Sequence, residues 1–227
     1  MGFFGEVSSS ELISGDALAN EIGLTEGNSF NSDAGWLKFY YDDKILFVAK
    51  KPYRYRLSWL DIYYVGAVHG KPGETGPSHP APDVEQNANI TINGDQYKVR
   101  LLTGAYDNPY TIGTDSNFAC EDFVGQNSEW NLLIYRVHEN VPVCDNGGPE
   151  WDGGPQIGDN WEKYSNLELG LGEWSNGHET LLQERDSTYP DFNIALTRGG
   201  GTISDFYTVN DFANDNKGWR PVLELIQ

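Results

Sequence analysis

Basic side chains are scarce in this chain: 15 Lys and Arg stand against 34 Asp and Glu, a formal net charge of −19 over 227 residues. Nucleic acid is therefore excluded as a partner, because phosphate binding needs clustered cations. Cysteine occurs twice, at Cys120 and Cys144; their spacing leaves one disulfide and two free thiols equally open. No apolar run approaches the roughly 18 residues of a membrane span, so membrane insertion is not expected. Met1-Gly2-Phe3-Phe4 lacks the basic flank and apolar stretch of a signal peptide, and Gly2 followed by Glu6 departs from the myristoylation pattern. Neither a Gly-x-Ser-x-Gly elbow nor a phosphate loop is present. His69, His79, His138 and His178 form no i, i+4 pair for zinc and read as surface or loop residues.

What the chain does contain is aromatic residues, at 13%, within an apolar fraction of 38% that suffices for a core. With 26 glycines, that composition predicts short strands, many turns and long ordered loops. Ser8 and Glu11 have the spacing of a capping box, and Gly15 and Gly23 divide the adjoining apolar points into one or two short helices. Trp36-Leu37-Lys38-Phe39-Tyr40 and Ile45 to Ala49 flank a turn at Asp42-Asp43 and predict a hairpin. Residues 58–68 predict a helix capped by Ser58. A second hairpin is expected around Asn93-Gly94, whose residues accept positive φ. Trp130, Leu133, Ile134 and Val137 recur at helical spacing. Residues 166–227 predict short strands between further loops. Residues 1–35 carry too little apolar surface to fold alone and must be tied to their own domain or to a neighbouring chain.

Four pieces of sequence resemble, in order, the fold shared by formylglycine-generating enzymes and the variable proteins of diversity-generating retroelements. They are Leu57-Ser58-Trp59-Leu60-Asp61; Val99 to Thr103 with Ser128-Glu129-Trp130; Leu167-Glu168-Leu169 with Glu173-Trp174; and Arg198-Gly199-Gly200 with Gly218-Trp219-Arg220-Pro221-Val222. The resemblance spans roughly residues 57–225 and implies an α+β, C-type-lectin-like domain with two helices and long ordered loops. It also implies that Leu167 to Trp174 belongs to a strand region. The enzymes of that family need late cysteines to handle copper and oxygen, and none follows Cys144, so their chemistry is not expected. Trp36 to Pro52, Ser58-Trp59 and Gly218 to Leu225, with the lead-in Phe4 to Leu18, are similar to tailed-bacteriophage virion and tail-fibre proteins. That similarity implies a virion location and other virion proteins as partners in an oligomeric setting. It divides the chain into a docking segment, residues 1–35 with Phe3, Phe4, Leu12 and Ile13, and a lectin-like domain, residues 36–227.

Candidate binding residues lie mostly in loops. Trp151 and Trp161 occupy a Gly-rich stretch and suit stacking on a sugar or protein, whereas Trp174 and Trp219 sit in apolar patterns and are expected in the core. Asp145, Glu150 and Asp152 are oxygen-rich enough for Ca²⁺, with a solvated loop as the plain alternative; a second such cluster lies at Asn210-Asp211 and Asn214-Asp215-Asn216. No other cofactor is indicated. Glu179 and Glu184 would serve as a glycosidase pair only at the right separation. The sequence supports two functions: a non-enzymatic virion structural protein on the particle surface, or a receptor-binding adhesin reading a host glycan or protein through loops 103–127, 140–165 and 202–216.

Overall fold

A computed structural model describes residues 1–72, 84–105, 128–139, 161–185, 194–203, 205–210 and 213–226. Short helices and two six-stranded sheets among these residues make the class α+β. The first sheet grows from the two local hairpins. Strands β3 (Trp36–Tyr41) and β4 (Lys44–Ala49) turn at Asp42 and Asp43, with φ of 50° and 58°. Strands β6 (Asn89–Ile92) and β7 (Asp95–Arg100) turn at Asn93 and Gly94, with φ of 54° and 95°. Both turns match the two-residue type whose twist suits a hairpin. Strand β12 (Val222–Leu225) joins the hairpins by pairing antiparallel with β4 and β7, and β1 (Gly2–Val7) adds an edge on β3. The order is β1-β3-β4-β12-β7-β6.

The second sheet has the order β10 (Phe206–Asn210), β9 (Ile194–Arg198), β8 (Glu179–Arg185), β11 (Lys217–Trp219), β5 (Arg54–Tyr55) and β2 (Asn28–Ser29). Only β8 and β11 pair in parallel among the described strands. Alternation along the central strands of the first sheet feeds two packed clusters. Phe47, Ala49 and Leu223 join Trp59, Tyr53 and Trp219, while Leu46, Val48 and Val222 join Trp130, Leu133 and Val137. A strand buried on both faces is why Ile45 to Ala49 reads as an unbroken apolar run.

Helix α1 (Gly15–Ile22) is capped by Ser14 and stops at Gly23 in the left-handed region. The Ser8–Glu11 box does form, with Ser8 N donating to Glu11 Oε2 at 3.1 Å, but it closes a turn instead of starting a helix. Helix α2 (Trp59–Tyr64) starts on a reciprocal Ser58–Asp61 box and is shorter than expected, because Gly66 takes φ 73° against the Glu85 carbonyl. The expected helix near Trp130 is a π-helical turn, Trp130–Ile134, running into a 3₁₀ turn, Tyr135–Val137. Leu167-Glu168-Leu169 is not a strand. It is the helical turn α3 (Asn166–Leu169), where a Ser165–Glu168 box and left-handed Gly170 set both ends.

Residues 1–35 pack within this same body. Leu18, Ala19 and Leu24 are core residues, Leu12 and Ile13 lie partly buried against them, and Trp36 Nε1 donates to the Ile13 carbonyl at 2.8 Å. Phe3 packs on Phe39 with ring centroids 5.2 Å apart. Phe4 alone of the four docking candidates points outward, at 65% exposure.

Candidate functional site

Buried cations, Arg100, Arg198 and Arg220 among them, stiffen the frame. Arg100 holds Glu129 in a two-armed bridge, at 2.7 and 2.6 Å, and donates through Nε to Glu224 at 3.0 Å. Burial opposes its charge, but the two carboxylates outweigh that and raise its pKa. Arg198 reaches Asn131 Oδ1 at 3.1 Å and the Tyr135 hydroxyl. Arg220 donates to the carbonyls of Ala49, Lys50 and Leu169 and to Thr180 Oγ1, and lies over the Trp130 ring. Burial pushes Arg220 down to about 9, so it remains a cation at neutral pH. It braces the segments around it by donating to their backbone carbonyls.

Glu184 and Glu179 share strand β8 but not a site. The Glu184 carboxylate accepts from the Gly104 and Ala105 amides at 3.0 and 3.3 Å, and burial pushes it up to about 8. Glu179 sits beside Lys217 and Asn216. Five residues of strand correspond to roughly 16 Å, well beyond a glycosidase pair. His69, His138 and His178 are buried rather than superficial. His138 Nε2 lies 2.9 Å from Asn166 Oδ1, and His178 Nδ1 accepts from the Glu173 amide at 3.1 Å. Burial lowers the His178 pKa, in keeping with a neutral ring. His79 lies outside the described residues.

Trp151, Asp145, Glu150, Asp152, Cys120 and Cys144 also lie outside the described residues. Trp161 is half-buried; the Arg136 guanidinium lies 4.1 Å from its ring centre and Phe39 packs 6.0 Å away. In the second oxygen-rich cluster, Asn214 Oδ1 accepts from the Asn216 and Lys217 amides and Asp215 pairs with Arg56. No group of three metal-ligating side chains converges among the described residues. No described helix is long and apolar enough to cross a membrane.

Two surface features bear on function among the described residues. One is the outer side of β1, where Phe4 stands beside Lys38, Tyr40 and Ile45 around an open apolar hollow of about 170 Å³. The other is Trp174, which is 50% exposed and not in the core, with Tyr207 at 36% exposure 5.0 Å away and edge-on. Sequence reasoning misses this pair because it groups Trp174 with a strand that does not form. The available signal is glycine: Gly170, Gly172 and Gly177 bracket it, as glycines bracket Trp151. Comparison of the chain with family models, with curated proteins and with solved structures finds no match.

Proposed function

We propose that the chain is a non-enzymatic structural protein of a bacteriophage virion. It is displayed on the particle surface by a C-type-lectin-like domain and docked onto other virion proteins through its N-terminal segment. The resemblance carried by Trp36 to Pro52 and by the Gly218 to Leu225 ending supports the virion setting. The observation that carries the docking is Phe4. A phenyl ring at 65% exposure, beside half-exposed Tyr40, combines an apolar anchor with strand backbone that pairs on one side only among the described residues. Edge strands of that kind are templates for another chain, while the Gly5 kink limits how far such pairing extends.

Deleting residues 1–35 would remove Leu18, Ala19 and Leu24 from the core and confound folding with docking. Phe4→Glu changes only the outward ring. Particles carrying it are expected to contain at least about tenfold less of the protein, as for a lost interface anchor, while its melting temperature stays that of the parent. Normal incorporation would count against docking through β1. The second reading, a receptor-binding adhesin for a host glycan or protein, is favoured by the exposed Trp174–Tyr207 pair.

A further inference from the structure

We infer that Trp174 and Tyr207 form a stacking platform for the pyranose ring of a neutral polysaccharide. This rests on the adhesin reading and names its site and ligand class. Trp36, Trp59, Trp130 and Trp219 are buried and Trp161 is half-buried, so Trp174 is the exposed tryptophan among the described residues. Its exposure is not a loose end. The turn that carries it is pinned by the Glu173 amide on His178 Nδ1 and by the Gly177 amide on the Asp215 carbonyl at 2.8 Å.

The indole lies against a second turn that sequence has cleared for it. A Cβ on Gly200 would come within 2.6 Å of Trp174 Cζ3, and one on Gly201 within 3.2 Å of Cζ2. Asp205 fixes that turn by accepting from the Gly201 amide, the Thr202 amide at 2.8 Å and the Thr202 hydroxyl at 2.8 Å. Tyr207 closes a further side, its ring 72° from the indole plane. A half-exposed indole held this way has already lost its rotational freedom, so binding does not have to freeze it.

Size and charge select the occupant. Two rings cover far less than the ~800 Å² per partner of a stable protein interface; they match one or two sugar units. The C–H face of a pyranose suits an aromatic face, and its hydroxyls need acceptors. Among the described residues Asp205 Oδ1 accepts from the Thr202 hydroxyl, and a carboxylate oxygen has lone-pair capacity for a second donor; exposed Glu173 precedes Trp174 in the chain. Carboxylates here, and a net charge of −19, repel an acidic polymer.

The test is affinity electrophoresis of the full chain through gels containing starch, hydroxyethyl cellulose, mannan or galactan, with polygalacturonate as the acidic control. Retardation is expected in at least one neutral gel and not in polygalacturonate. Trp174→Ala should weaken it at least about tenfold at an unchanged melting temperature, and Tyr207→Ala provides a second reading should the first variant lose its fold. Equal mobility in all four neutral gels, undiminished retardation of both variants, or retardation confined to polygalacturonate would overturn the proposal. Incorporation of Phe4→Glu is read on particles and this binding on purified chain, so docking and ligand class can fail separately.

Discussion

At the scale of single residues, Glu184 ties stability to pH. Its carboxyl is buried on β8 and faces two backbone amides, yet burial dominates and lifts it from 4.5 to about 8. The folded chain therefore keeps this proton in a range where the unfolded chain has released it. The stabilisation is complete below about pH 4.5, declines as pH rises, and is lost above pH 8. Urea midpoints are expected to fall across that interval, and Glu184→Gln, which cannot titrate, should flatten the fall. A parent midpoint that stays level or climbs between the two pH values would show that the carboxylate is better solvated than its burial implies.

Elements fixed by neighbours in sequence are the legible ones. The Ser58–Asp61 box is such a case: Asp61 N donates to Ser58 Oγ at 3.2 Å and Ser58 N to Asp61 Oδ2 at 2.7 Å. Ser58→Ala is expected to cost about 1 kcal/mol, a melting shift of about 2–4 °C for a chain of this size; calorimetry showing no shift would mean that packing of Trp59 alone holds α2. Both hairpins are readable because Asp42-Asp43 and Asn93-Gly94 carry their own geometry. Trp130 is legible as helical but not as a π turn, and its Nε1 partner, the Ile203 carbonyl, lies 73 residues away where no local pattern marks it. Leu167 to Leu169 misleads for the opposite reason: the family resemblance implies a strand region, and the local Ser165–Glu168 cap prevails. Of the surface sites, Trp174 is not legible in the sequence, because exposure of that indole depends on Gly200 and Gly201 across a long-range turn.

At the scale of the whole molecule, the chain closes with its last strands. β11 stands between β8 and β5 in one sheet, and β12 between β4 and β7 in the other. Both partners of β12 and the β5 partner of β11 lie more than a hundred positions away, whereas the β8 partner of β11 is nearer in sequence, so no local pattern fixes which strands each one separates. The same ending supplies Trp219 and Leu223 to one packed cluster and Val222 to the other, and it supplies Glu224 to Arg100. Truncation after Asn216 removes all of these together and strands Arg100 and Glu129 beside an open gap. Such a chain is expected to show no cooperative thermal transition and no near-ultraviolet aromatic signal, since losing central strands and core together leaves neither sheet a folded edge to close on. Removing residues 1–7 takes away only an edge strand, so that variant should keep a cooperative transition at a lower temperature. If the C-terminal truncation instead melts cooperatively, the two sheets stand without the strands that join them, and the ending is an attachment rather than the closure of the fold.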